Sequence, residues 1–159
     1  MIQLPSGCPT SLSKREASLL QFHARGRTVV EAGSLLGGST IYLAEVASRV
    51  FSIDRHLSYT VPTLRRFRSN LLRAGIADKV DVIVECALSA LPRYPADFGF
   101  IDLTGQYRIT KLALEAIQAP IVGVHDVSRA HCSGVAEALR HSGFEVIEHV
   151  DTLAILRKK

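Results

Sequence analysis

The sequence predicts an α/β domain: a doubly wound, mostly parallel sheet of seven strands that closes with an antiparallel hairpin. Three observations carry this. Short β-branched runs alternate along the chain with amphipathic stretches of helical period. The strand-like runs end on acids, as "FSID" and "FGFID" do. At the C-terminus two strand-like runs follow each other with no room for a helix between them, so they must pair antiparallel.

Taken in order, residues 1–27 form an N-terminal lead-in and helix. "MIQLPSGCPT" reads as a loose segment, and the helical pattern runs over 13–24. The domain proper is expected over 28–159. Its first strand is 28–31, followed by a glycine turn and a helix over 39–48. The second strand, 50–53, ends at Asp54. The next helix occupies 62–74, with Pro62 suited to its first turn and Gly75 to its exit. Leu64, Phe67 and Leu71 form its apolar face, and Arg65, Arg66, Arg68 and Arg73 a solvated one. A third strand is 79–84, and a fourth, 98–101, ends at Asp102. The helix over 107–118 turns Ile109, Leu112, Ala116 and Ile117 inward. The fifth strand, 120–124, ends at His125-Asp126 and leads to a helix over 134–142. The hairpin strands are 145–150 and 152–157.

Bulk properties limit the classes of function. The chain has 159 residues, 47% of them apolar, which suits one domain with one core. No apolar run approaches the roughly 20 residues of a membrane span. No signal peptide is expected. Three scattered cysteines form no CxxC pair and point to neither a disulfide framework nor a zinc site, and a cytoplasmic location is expected. A net charge of +4 is mild.

The chemistry is concentrated at the strand ends, where open α/β sheets bind ligands. Glu31, Asp54, Asp102 and Asp126 are expected on one rim of the sheet. In "VVEAGSLLGGST" an acid stands beside a glycine turn. A dinucleotide pyrophosphate would be repelled by Glu31, and the glycines are not spaced GxGxxG. A ligand with positive charge and no phosphate fits better, and S-adenosylmethionine (SAM) carries a sulfonium and an ammonium beside an adenosine. Asp54 follows Glu31 at close to the spacing of roughly 20 residues at which such folds hold a ribose.

With these residues the sequence resembles the class I SAM-dependent methyltransferases, whose sheet is Rossmann-like. "EAGSLLGGST" is similar to their first motif in the form found in the catechol O-methyltransferase-like and cephalosporin-hydroxylase-like branches. "FSID", "FGFIDLTGQY" and "GVHDV" match later segments in the right order. The resemblance implies that Glu31, Gly33, Ser34, Gly37 and Gly38 surround the methionine part of the cofactor, with Ser39 bonding its carboxylate. It implies Asp54 and Arg55 at the ribose, Cys86 and Ala87 at the adenine, and Asp102 beside the transferred methyl. Asp102 and His125 are the implied catalytic residues. In the metal-dependent branches the acids after strands four and five hold magnesium, which implies Asp102 and Asp126 as ligands, with His125 or water completing the shell. Gly105 departs from the pattern: related enzymes place His or Lys near it.

The function expected is O-methyl transfer to a small molecule. Two alternatives stand beside it: a nucleic-acid methyltransferase guided by the basic helix 62–74, and a non-catalytic SAM-binding scaffold. With so few residues outside the core, the acceptor side is expected to be closed by a second subunit in a homodimer, or by a large acceptor. Cys86 is expected to be a small buried hydrophobe. His23, His56, His141 and His149 are expected at the surface, and His125 and His131 near the mouth of the site.

Overall fold

A computed structural model describes residues 2–57, 62–129 and 132–159. The elements are α1 (Lys14–Ala24), β1 (Thr28–Ala32), α2 (Gly38–Val46), β2 (Arg49–Ile53), α3 (Thr63–Ala74), β3 (Val80–Ile83), α4 (Ala87–Ala90), β4 (Phe98–Ile101), α5 (Tyr107–Ala116), β5 (Ile121–Val124), α6 (Ser133–Arg140), β6 (Phe144–Val150) and β7 (Leu153–Lys158). The seven strands form one sheet in the order β3-β2-β1-β4-β5-β7-β6, and β7 alone runs against its neighbours. The expected fold class is therefore the observed one. The short α4 and the 3-10 turns Ala77–Lys79 and Leu91–Arg93 are additions, too brief to carry a helical period.

Local chemistry explains the start of α1 and the end of α3. Ser13 caps α1 in a reciprocal capping box: its hydroxyl accepts from Glu16 N, and the Glu16 carboxylate accepts from Ser13 N. Gly75 ends α3 in the left-handed region, returning its N–H to Leu71 and Leu72. On α5 the inward residues are Thr110, Ala113, Leu114 and Ile117, whereas Leu112 is exposed. The inward stripe is therefore rotated from the expected one, because Thr110 is buried and a polar residue does not register in an apolar pattern. On α3 the arginines are exposed, as expected.

Apolar clusters lie on both faces of the sheet. One joins Val30, Ile101, Leu114 and Val122 to α5 and α6. The other joins Val29, Phe98 and Phe100 to α1, α2 and α3. Cys8 and Leu12 belong to the second cluster. The lead-in expected to be loose is thus packed onto the sheet, with its Ile2 N–H donating to Glu45 at 2.8 Å.

The order reverses between β1 and β4, and there the strand ends lie in register. Gly33 N donates to Ile53 O (2.9 Å), Asp102 N to Ala32 O (2.9 Å), Asp54 N to Ile83 O (3.1 Å) and His125 N to Ile101 O (3.1 Å). The ladder thus continues past the strands and sets Gly33, Asp54, Asp102 and His125 along one rim. At Gly33 (φ +93°) a Cβ would stand 2.0 Å from the Asp102 carbonyl oxygen. Gly33→Ala is expected to lose at least about 2 kcal/mol of stability, through the disfavoured backbone conformation and the backbone clash together. Thermal denaturation checks this, and an unchanged midpoint contradicts it.

Candidate cofactor site

Two adjoining cavities open at this rim. The larger, about 400 Å³, is lined by Gly33, Ser34, Gly38, Ser39, Asp54 and Asp102, together with Pro9, Thr10 and Ser11 of the lead-in. The smaller, about 260 Å³, is lined by Gly33, Asp54, Arg55, Cys86, Ala87 and Leu88. Gly33, Asp54, Leu103 and Thr104 border both. The structure therefore brings Gly33, Ser34, Gly38, Ser39, Asp54, Arg55, Cys86, Ala87 and Asp102 together as expected. Gly37 lines neither cavity. It takes the left-handed conformation that starts α2, where a Cβ would meet the Phe67 ring at 3.1 Å.

Glu31 corrects the sequence reading. It lies inside β1, below the rim, fully buried and lining neither cavity. Its carboxylate accepts from Ser39 Oγ (2.5 Å), Thr40 Oγ1 and, from the residue paired with it on β2, Ser52 Oγ (3.0 Å). Ser39 thus spends its hydroxyl on Glu31, leaving its backbone N–H, in the first turn of α2, for an anionic ligand. Burial raises the Glu31 pKa from 4.5 to about 7. The three hydroxyl donors pull it down, and the charge of Asp102 adds to the rise. The argument against a pyrophosphate from direct contact with Glu31 therefore falls away, because the acid sits behind the turn.

Asp54 does more than expected. One carboxylate oxygen accepts from Ser34 N (3.0 Å) and Leu35 N (2.8 Å), and the other from His56 N (2.7 Å). It therefore ties the glycine turn to the end of β2. Each carboxylate oxygen has two acceptor positions, so the one bonded to His56 N keeps room for a further donor.

Behind Asp102 lies a polar cluster. His125 is buried, with no exposed side-chain surface, so it does not reach the mouth where it was expected. Its Nδ1 is 3.3 Å from Asp102 Oδ1 and 3.3 Å from Asp126 Oδ1. Its Nε2 is 3.1 Å from Thr152 Oγ1 and 3.7 Å from Glu16 Oε1. Burial alone would lower the His125 pKa, but the bond to Asp102 and the charges of Asp102, Asp126 and Glu16 outweigh it, and the net direction is up. For Glu16 burial is likewise outweighed, here by bonds from Ser13 and Thr152 and by the charge of His125, and its pKa is lowered. Asp126 Oδ1 is buried, 2.9 Å from Arg129 Nε, yet receives no aligned hydrogen bond. One ligand atom each from Asp102, His125 and Asp126 lies within 4.8 Å of the others.

Other expectations change. Cys86 is exposed, while Cys8 and Cys132 are buried. His23 is buried against Phe98 and Glu148, and His56 is half-buried against Phe67. His141 and His149 are exposed, and His131 lies outside the described residues. Residues the sequence reading missed are Pro9, Thr10 and Ser11, Glu16 and Thr152. The S-x-x-E capping signature at Ser13 was the one signal that could have drawn attention to Glu16.

No family model matches the chain. It is 37% identical over 106 residues to a catechol O-methyltransferase of Mycobacterium tuberculosis, covering 63% of this chain and 46% of that protein. The chain thus spans less than half the length of this curated relative. A cofactor-bound structure of Rv0187 from the same organism superposes with a TM-score of 0.72 at 27% identity, covering 98% of this chain and 84% of that one. An O-methyltransferase from Bacillus cereus in complex with SAH superposes with a TM-score of 0.71 at 24% identity, covering the same shares of each chain, and supports the fold. The chain thus shares the fold of these structures and, over 106 residues, resembles a catechol O-methyltransferase. The buried Glu31 lies on β1, and the rim acid Asp102 follows directly on the neighbouring β4. Among the described residues no helix is long and apolar enough to cross a membrane.

The raised pKa of Glu31 has a consequence for stability. A carboxyl group whose folded pKa exceeds its unfolded value stabilises the fold fully below about pH 4.5, and that contribution is lost as pH rises to about 7. The difference corresponds to about 3 kcal/mol. Glu31→Gln is expected to flatten the loss of stability between about pH 4.5 and 7, as read by urea denaturation at several pH values. An unchanged pH profile contradicts the assignment.

Proposed function

We propose that this chain is a SAM-dependent O-methyltransferase that acts on a small hydroxylated molecule. The observation that carries the reading is the pair of adjoining cavities at the switch of strand order, with Asp54 between them and Asp102 in the wall of the larger. The smaller cavity suits adenine, with apolar Ile53, Ala87 and Leu88 in its lining. Asp54 suits the ribose hydroxyls at the border. The larger suits the methionine part, with its carboxylate toward the first turn of α2. The name of the mycobacterial relative, catechol O-methyltransferase, supports an acceptor of the catechol type. The three free thiols fit a cytoplasmic setting.

When bound, SAM supplies an electrophilic methyl group that passes in line to an acceptor oxygen. The work of the protein is then mainly positioning. Asp54 fixes the turn that carries Ser34 and Leu35. Asp102, with a side chain about 23% exposed, is the cluster member that meets the cavity. The lead-in residues Pro9, Thr10 and Ser11 complete the wall of the larger cavity.

The same reading includes the divalent cation that the metal-dependent branches imply. The residues present fit one. Asp102, His125 and Asp126 converge, and the buried Asp126 Oδ1 lacks an aligned donor. A cation held by these three would lower the pKa of an acceptor hydroxyl.

Calorimetric titration tests the cofactor half. SAM and SAH are expected to bind, and NAD much more weakly; NAD binding without a SAM signal overturns the reading. Asp54→Ala is expected to weaken SAM binding by about 1.5–3 kcal/mol, through the lost charge-assisted bonds and the released glycine turn. Circular dichroism confirms that the variant is folded. Unchanged affinity in the folded variant puts the ribose elsewhere.

A further inference from the structure

The two nitrogens of His125 have unlike surroundings. Nδ1 faces the gap between Asp102 and Asp126, on the cavity side. Nε2 faces Thr152 Oγ1 and the Glu16 carboxylate, on the side of α1 and β7. Glu16 is itself immobilised. Its Oε2 accepts from Ser13 N at 2.7 Å, and its Oε1 accepts from Thr152 N at 2.8 Å and Thr152 Oγ1 at 2.7 Å. It is about 2% exposed. A fixed carboxylate and a hydroxyl thus stand behind the ring, and two further carboxylates stand before it.

A carboxylate behind an imidazole holds the ring proton on the nitrogen that faces it, fixes the ring, and makes the opposite nitrogen a better donor to a metal. Here that opposite nitrogen is Nδ1. We propose that Glu16, acting with Thr152, presents His125 Nδ1 as a nitrogen ligand to a divalent cation between Asp102 and Asp126, so that the site selects Mn²⁺, Co²⁺ or Zn²⁺ over Mg²⁺. The inference rests on the cation included in the function proposed above. Glu16 is a positioning residue in this arrangement, since it touches neither cavity.

The selection follows from ligand chemistry. Mg²⁺ requires near-octahedral oxygen coordination and gives up water reluctantly. Two carboxylates and an imidazole favour the later first-row ions, with affinity rising along Mn²⁺, Co²⁺ and onward. Arg129 is the competing cation at Asp126 Oδ1, at 2.9 Å. Its side chain is about a third exposed, so it can turn to solvent when an ion enters. The Cys132 thiol, 3.8 Å from Asp126 Oδ2, is a soft neighbour on the same side.

The experiment uses the full chain, stripped with chelator and titrated with metal alone. Mn²⁺ is followed by the electron paramagnetic resonance of the free ion, Co²⁺ by its visible absorption, and Mg²⁺ by competition. Wild type is expected to bind Co²⁺ and Mn²⁺, with Mg²⁺ displacing them only at about 100-fold or higher excess. Glu16→Gln keeps a residue suited to the capping box. Its affinity for Co²⁺ is expected to fall by about 10–100-fold, the range seen when the partner behind a metal-binding histidine is removed. Ser13→Ala serves as the control for a purely structural role: it loses the helix cap and melts lower, but retains Co²⁺ affinity and the Co²⁺ spectrum. If Glu16→Gln does not fold, Thr152→Val provides the same test from the hydroxyl side. The proposal is overturned if folded Glu16→Gln binds Co²⁺ as tightly as wild type, or if Mg²⁺ competes on equal terms with Mn²⁺. Absence of any divalent binding overturns it together with the cation part of the proposed function. The cofactor half is judged separately, by SAM titration without metal.

Discussion

The close approach of β1 to β4 at their carboxyl ends governs what the rest of the molecule can present. Parallel pairing in register carries Gly33 and Asp102 so near each other that no side chain fits at residue 33. This contact lies at the reversal of strand order, where the chains leave the sheet toward opposite faces and a crevice opens between them. Gly33 frees the chain to turn away from the strand, and Gly37 and Gly38 let it return into α2. At Gly38 a Cβ would come within 2.6 Å of the Pro9 carbonyl oxygen, so the missing side chain also lets the lead-in cross the helix start. Glycine at these positions thus serves protein-to-protein packing first. The cavity is what remains between the packed backbones.

Two buried acids stiffen that crevice from below and behind, and in them burial and hydrogen bonding compete over the carboxyl proton with opposite results. Glu31 receives three neutral hydroxyl bonds in a site without solvent, and burial prevails. Glu16 receives two backbone N–H bonds and one hydroxyl bond and has an imidazole nearby, and the bonds prevail. The difference lies in the deeper desolvation of Glu31 and in the positive charge that His125 can place beside Glu16. Glu31 pins α2 to β1 and β2. Glu16 pins α1 to the β6–β7 turn, which Ser13 and Arg15 also reach through Asp151. The cavity wall formed by Pro9, Thr10 and Ser11 is joined through Leu12 to Ser13, the cap of α1, so the lead-in is tied to the Glu16 clasp.

The sheet, the hairpin and the caps were legible in the sequence because their signals are local. β-branched runs, Gly75 and the absence of a helix between the last two strands are each readable within a few residues. The cavity-lining residues at strand ends were legible for the same reason, since strand ends follow from strands. What was not legible depends on depth. Glu31 and Asp54 look alike in sequence, as acids beside turns, yet one lies inside its strand and the other just beyond it. His125 stands at the rim by register, yet its ring turns inward among three carboxylates. The lead-in carries Pro, Gly and Ser, which read as loose, but Cys8 and Leu12 reach the core and fix it. Thr152 carries no local signal at all, because its meaning comes from Glu16, far away in sequence.

Gly105 shows how a departure from a family pattern can be structural. A Cβ there would lie 2.5 Å from Cys132 Sγ, so the place where related enzymes carry His or Lys is taken by the chain leading into α6. Gly134 seats the same chain against the Tyr107 backbone, where a Cβ would fall 2.3 Å from Tyr107 N. Cys132 does not take over a basic role. Burial and the neighbouring Asp126 push its thiol pKa up, which keeps it protonated and lets it donate toward Asp126. On this side of the cavity Asp102 stands in the wall, with the cluster of His125 and Asp126 behind it. The charge of that cluster is set by what lies between its acids. With a proton on His125, Asp102 faces an internal cation. With a metal ion held there, the same carboxylate would be turned to coordination, at the edge of the cavity where the proposed acceptor oxygen would arrive.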